Sequence, residues 1–158
     1  MKLRLIVCAA LVACLLLGTV ALADAPTLSE KLFSSAKQAV GYLSSGEYER
    51  LVTLLPFSDV APSASEWASF AENYADLSNP QSDYAVALWT GSVWAVAVPI
   101  QVPDSGSVEV LALSSEDGST FSGYRYGTWS QVEKALGDSD RVIWNKEYVP
   151  GTPTLIAD

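Results

Sequence analysis

Histidine and usable cysteine are what this sequence lacks. It contains no histidine, and its two cysteines, Cys8 and Cys14, both lie within the first 23 residues. Residues 24–158 therefore contain no cysteine nucleophile, no Ser-His-Asp triad and none of the usual His/Cys metal sites. We expect no metal, no cofactor and no disulfide in that part of the chain, so its stability must come from packing.

Positive charge is also scarce. Nine Lys and Arg residues stand against 18 Asp and Glu residues, which gives a net charge of −9. This balance opposes nucleic acid and anionic membrane surfaces as partners. The carboxylates are scattered rather than clustered, which is typical of an acidic, soluble protein surface.

The first 23 residues predict a secretory signal peptide. Lys2 and Arg4 form a short basic start, the stretch from Leu5 to Val20 is apolar, and Ala21-Leu22-Ala23 is a small-residue cleavage sequence. Cleavage before Asp24 would release a secreted or cell-envelope, extracytoplasmic product. That product would keep seven basic and 18 acidic residues, a net charge of −11.

Two other fates of the apolar segment stay open. The stretch from Leu5 to Ala23 approaches the length that spans a bilayer, so an uncleaved segment would act as a membrane anchor. Leu11-Val12-Ala13-Cys14 resembles the lipobox of bacterial lipoproteins, which would place a lipid on Cys14. The apolar residues that follow Cys14 depart from that pattern.

Residues 24–158 have the length of one domain, and the first half of it has helical patterns. Thr27-Leu28-Ser29-Glu30 reads as a capping box, and Gly46 ends the helix that follows. A second helix runs from Glu47 to Leu55 and completes a helical hairpin. Ser63-Ala64-Ser65-Glu66 is another capping box and opens a short helix with an aromatic face.

From residue 83 the apolar period changes from about 3.6 to 2, which predicts strands. The predicted strands are Tyr84–Trp89, Val93–Ile100, Val108–Ser114, Thr120–Tyr126 and, at the end, Arg141–Val149. Thr128-Trp129-Ser130-Gln131 is a third capping box and starts a helix between the last two strands. Residues 150–153 read as a frayed tail.

This order predicts a single α+β domain over residues 24–158. An N-terminal helical hairpin and a short helix would pack on a curved antiparallel sheet of about four to five strands. The strands at 84–89 and 93–100 are apolar at both alternating sets of positions, so the second face also needs cover. The sheet itself, a second helix or a partner would supply that cover.

The helical hairpin carries a pattern seen in known proteins. Ala39-Val40-x-Tyr42-Leu43-x-x-Gly46-x-Tyr48, followed by a curved antiparallel sheet, resembles the cystatin-like and nuclear-transport-factor-like cone folds of exported bacterial proteins. The resemblance spans roughly residues 28–126 and implies a cone-shaped pocket. It implies no activity, because enzymes of that superfamily typically use Asp/His pairs.

Two further patterns in the sequence bear on catalysis. Ser34-Ser35-Ala36-Lys37 matches the Ser-x-x-Lys pattern of penicillin-binding proteins, but the companion motifs are missing. The carboxylates available for acid–base work are Glu109, Glu116 with Asp117, and Asp138 with Asp140. Glu109 stands among apolar strand residues, where burial would raise its pKa, although a charge that protects an edge strand is the simpler interpretation.

The candidate ligand-binding residues are Arg125, Tyr124, Tyr126 and Trp129. Aromatic rings stack on sugars or peptides, and Arg125, the only basic residue of the strand meander, would pair with an anionic group. The alternatives are a buried role for the rings and a surface pair between Arg125 and a carboxylate such as Glu109.

The sequence thus favours an exported, non-catalytic binding or interaction module for an unknown peptide, glycan or envelope partner. The alternative is a small carboxylate-dependent hydrolase. An open pocket with one arginine would favour the first function, and two converging carboxylates would favour the second.

Overall fold

The computed structural model describes residues 24–73, 77, 80–102 and 107–147. The predicted signal segment with Cys8 and Cys14 lies outside the described residues, and so do the last two residues of the final predicted strand and the tail. Within the described residues, no helix is both long and apolar enough to cross a membrane.

Three helices come first, as the sequence predicts. They are α1 (Glu30–Ser45), α2 (Tyr48–Leu54) and α3 (Ala64–Ala71). Gly46 ends α1 with a φ of +73°, a conformation that glycine adopts without strain. The capping box between Ser63 and Glu66 is confirmed, because the Glu66 carboxylate accepts the Ser63 backbone N–H at 2.7 Å.

The predicted capping box between Thr27 and Glu30 is wrong. The N-cap of α1 is Ser29, whose hydroxyl accepts the Leu32 backbone N–H at 3.4 Å. Residues 27–29 are held by the turn at Gly118 instead. The Ser29 N–H donates to the Gly118 carbonyl at 2.8 Å, and a Cβ at position 118 would lie 2.3 Å from the Thr27 carbonyl oxygen.

The second half forms five antiparallel strands and one helix. The strands are β1 (Val86–Trp89), β2 (Trp94–Gln101), β3 (Val108–Ser115), β4 (Gly123–Thr128) and β5 (Val142–Trp144), and helix α4 (Trp129–Gly137) lies between the last two. A short 3₁₀ turn at Ser82–Tyr84 precedes β1. The spatial order is β4-β3-β2-β1-β5, an open sheet.

Strand β4 begins later than predicted, because Phe121, just before it, forms a β-bridge with Phe57. Phe121 bridges Phe57 in parallel, with its N–H donating to the Pro56 carbonyl at 2.7 Å and its carbonyl accepting the Ser58 N–H at 2.9 Å. Strand β5 is short, and Asn145 directly after it donates its backbone N–H to the Ala85 carbonyl at 3.0 Å.

The structure confirms the α+β class, with the N-terminal helices packed on one face of the sheet. We call this face the helix face. The core on this face is formed by buried residues of the three helices and of the strands. The strand residues include Ala87, Val96, Val98, Leu111 and Leu113. Helix α4 packs on the opposite face, the α4 face, through Trp129 and Val132. A second helix therefore supplies the cover that the sequence required, and the cone-shaped pocket stays a prediction.

Candidate functional site

Neighbouring residues of β4 point to opposite faces of the sheet. Tyr124 pairs with Leu113 across the ladder and belongs to the helix face, whereas Arg125 pairs with Ala112 and belongs to the α4 face. The Tyr124 ring centroid lies 4.3 Å from that of Trp67 and 5.1 Å from that of Phe70. Burial, with the nearby Glu66 charge, raises the pKa of Tyr124.

Tyr126 also lies on the helix face, at its margin, and is 36% exposed. Burial and a hydrogen bond from its hydroxyl to the Glu109 carboxylate raise the pKa of Tyr126 to about 12. Glu109 itself is buried on β3, which lies between β2 and β4. The edge-strand interpretation of Glu109 is therefore wrong.

Trp129 is buried at the start of α4, with 6% of its surface exposed. Its ring centroid lies 6.1 Å from that of Trp144 on β5, and both belong to the α4-face core. The structure thus does not bring the four candidate residues into one site. Tyr124 and Tyr126 lie on the helix face, Trp129 is in the α4-face core, and Arg125 is exposed on the α4 face.

Arg125 borders a groove between the sheet and α4, which we call the Arg125 groove. Its cavity volume is about 50 Å³, and one side is open to solvent. The floor is formed by sheet residues, most of them small: Leu88, Ala95, Ala97, Val110, Ala112 and Gly127. Val132 and Ala135 of α4 form a wall, and exposed polar residues form the rim: Thr90, Arg125, Thr128 and Gln131.

The groove exists because α4 is short and lies close to the sheet. Nine residues make a helix roughly 13–14 Å long, which leaves part of the face uncovered. Gly127 permits the close approach, since a Cβ there would lie 3.0 Å from Gln131 Oε1 and 3.2 Å from Val110 Cγ2. A larger residue at position 127 would require the side chains of Gln131 and Val110 to shift by a few tenths of an ångström.

The rim of the groove carries hydrogen-bond donors. Gln131 Oε1 accepts the Thr128 backbone N–H at 3.0 Å and caps α4 as predicted, which fixes the oxygen inward and presents the amide nitrogen as a donor. Within the described part of the chain, no carboxylate or other acceptor lies within bonding distance of the Arg125 guanidinium. The alternative pair with Glu109 is wrong, because the two side chains lie on opposite faces.

The carboxylates weighed for catalysis lie elsewhere. Asp117 accepts backbone N–H groups of Thr120 at 2.8 Å and Ser119 at 2.7 Å, and these bonds lower its pKa from 3.8 to about 2. Asp138 is the C-cap of α4. Among the residues that the structure describes, no three His, Cys, Asp or Glu side chains are grouped so as to hold a metal ion.

The Ser-x-x-Lys pattern is also accounted for structurally. Lys37 Nζ donates to Asn145 Oδ1 at 2.9 Å and lies 5.5 Å from the Phe33 ring centroid. The Ser34 hydroxyl accepts the Gln38 side-chain N–H at 3.3 Å. This lysine thus links α1 to the chain after β5.

Sequence reasoning missed the small residues that form the groove. Their signal was present in β2, where Trp94, Val96, Val98 and Ile100 alternate with Ala95, Ala97 and Pro99. Both sets are apolar, so hydrophobicity alone does not separate them. Side-chain size separates them, because one face carries the large residues of β2 and the other carries the small ones.

Comparison of the chain with protein-family models, with curated protein sequences and with solved structures finds no match.

Proposed function

We propose that this chain is an exported, non-catalytic binding domain and that the Arg125 groove takes the anionic end of its ligand. The observation that carries the proposal is the exposed Arg125 guanidinium beside an apolar groove, with no anionic partner among the described residues. An arginine fork matches carboxylate and phosphate oxygens with two parallel hydrogen bonds.

The composition of the groove favours binding over hydrolysis. Among the described residues, its lining contains four that are polar and no aspartate or glutamate. Carboxylate-dependent hydrolysis needs two acidic groups flanking the reacting bond. Donors such as Arg125 and Gln131 instead suit the capture of a negative group.

The test is titration of the ¹⁵N-labelled domain with acetate, methyl phosphate and methyl sulfate, followed by NMR. Binding should shift amide signals of β4 and the start of α4, and Arg125→Ala should abolish those shifts. Lys134→Ala is the matched control, because it removes one positive charge from exposed α4 surface outside the groove. Equal shifts in wild type and Arg125→Ala would contradict the proposal.

Export rests on the apolar segment Leu5–Val20 and the Ala21-Leu22-Ala23 ending. The intact mass of material recovered from the producing cells tests it. A product that begins at Asp24 supports export with cleavage. A mass that includes residues 1–23, or a lipid on Cys14, would contradict cleavage before Asp24.

A further inference from the structure

We infer that the ligand of the Arg125 groove is a short, straight-chain aliphatic carboxylate, an inference that rests on the proposed function. The guanidinium would bind the carboxylate at the rim, and the methylene chain would lie along the floor. Three features of the groove carry this assignment: its polar atoms, its floor and the charge of the whole chain.

The polar atoms at the rim select a planar anion. The guanidinium of Arg125 and the side-chain N–H₂ of Gln131 are both donors and line the same groove. A carboxylate offers two acceptor oxygens in one plane, which the arginine fork matches. A cation or a neutral donor would find no hydrogen-bond acceptor in these two groups.

The floor selects a chain without amides. The backbone N–H and C=O groups beneath Ala95, Ala97 and Ala112 are paired in the ladders of β2 with β1 and β3. A peptide lying there would lose water from its own amide groups and gain no hydrogen bonds in return. Methylene groups have no such requirement, and small floor residues leave room for them.

Net charge selects a monoanion. The chain carries −9, so a ligand is repelled in proportion to its own negative charge on approach. Phosphate monoesters carry close to two charges at neutral pH, whereas a carboxylate carries one. A single arginine therefore balances the carboxylate better than it balances a phosphate.

The experiment measures Kd for acetate, butanoate, hexanoate and octanoate by NMR titration of the ¹⁵N-labelled domain. Affinity should rise about four-fold for each methylene that enters the groove, and stop rising once the chain extends beyond it. Arg125→Ala should weaken every member of the series, and Lys134→Ala should leave all four values unchanged. Pentanol and pentylamine have the same alkyl tail as hexanoate without the carboxylate and should not bind.

A second variant tests the floor independently of the arginine. Ala135 lines the groove from α4 and is half-buried, so Ala135→Leu extends a side chain into the groove without disturbing the sheet. It should remove the gain with chain length while acetate still binds. An unchanged chain-length series in Ala135→Leu would overturn the assignment.

The comparison ligands separate failure of this inference from failure of the proposed function. Methyl phosphate and the peptide N-acetyl-Ala-Ala are titrated alongside. Arg125-dependent binding of either one, with no gain along the alkanoate series, overturns the aliphatic assignment and keeps the anion-binding groove. No Arg125-dependent shift with any of the anions overturns both.

Discussion

The two faces of the sheet are built from alternate residues of the same strands, and each has a buried core, but the side chains on the two faces differ in size. On β2 the helix face carries Trp94, Val96, Val98 and Ile100, all at most 3% exposed. The α4 face carries Ala95, Ala97 and Pro99 on the same strand. A strand that is apolar throughout can therefore serve a packed core on one side and a shallow groove on the other.

The two faces also differ in how much of each is covered by helices. Three helices and the segment around Phe57 cover the helix face, with tyrosine and tryptophan rings filling the remaining space. One nine-residue helix covers the α4 face. The helix face contains the larger core, and the α4 face contains the smaller core and the groove proposed to bind a ligand. The predictions below test this division, from the largest expected effect to the smallest.

Trp67→Ala should cause the largest loss of stability. Trp67 is fully buried and contacts Phe57, Phe70 and Tyr124, so the truncation leaves a large cavity in the helix face. The free energy of unfolding, measured in urea, should fall by about 3–5 kcal/mol. The indole N–H has no acceptor among the described residues, so the truncation breaks no hydrogen bond there.

The control for Trp67→Ala is Val60→Ala, since Val60 is 94% exposed. That change should alter stability by no more than about 0.5 kcal/mol. A loss below about 1 kcal/mol for Trp67→Ala would mean that the helix face is not the packed core described above.

Enlarging a side chain on each face should distinguish the two faces more directly than truncating one, because the cost in the free energy of unfolding depends on the space available. Ala36 on α1 is fully buried on the helix face, and Ala135 on α4 borders the groove. Ala36→Leu should cost about 1–3 kcal/mol, because a filled core has no room for the added carbons. Ala135→Leu should stay within about 0.5 kcal/mol of wild type in the same urea experiment. Equal costs would show that the groove has no spare volume.

The turn between β3 and β4 belongs to neither face. Its Asp117 should make a pH-dependent contribution to the free energy of unfolding that is independent of the groove. The pKa of Asp117 is about 2 in the folded state and 3.8 ordinarily, so its carboxylate stabilises the fold above about pH 4. That contribution is lost as the pH falls from about 4 through about 2. Asp117→Asn should thus be less stable than wild type near neutral pH, and the difference should shrink on acidification.

Urea unfolding of both proteins at several pH values measures this effect. A stability difference that does not change between neutral pH and about pH 2 would contradict the assigned role of Asp117. The amide signals of the Arg125 groove should be the same in both proteins, because Asp117 bonds only within its own turn in the described structure.

Sequence patterns predicted the order of helices and strands, since the change of period at residue 83 reports which face of each element is buried. The capping box at Ser63 fixed the start of α3 for the same local reason. Such local patterns do not predict contacts between segments that are distant in the sequence. The docking of residues 27–29 on Gly118 moved the start of α1, and the pairing of Phe121 with Phe57 delayed β4.

The candidate site was predictable in part, because only some of its features are local. Arg125 stood out as the only basic residue of the meander, and alternation placed it opposite to Tyr124 and Tyr126. The groove itself depends on how α4 crosses the sheet, which no local pattern specifies. Gly127 and Gln131, which line the groove, read from the sequence only as a strand end and a helix cap.

The sharpest form of the comparison lies within β4, between two adjacent residues. Tyr124→Ala removes a ring packed against Trp67 and Phe70 and should cost on the order of 2–3 kcal/mol, less than a fully buried ring. Arg125→Ala removes an exposed side chain with no bonding partner among the described residues and should change the free energy of unfolding by less than about 0.5 kcal/mol. Under the proposed function, its effect should be on anion binding instead. A loss of stability in Arg125→Ala equal to that in Tyr124→Ala would make Arg125 a structural residue and leave the groove without its anion-binding group.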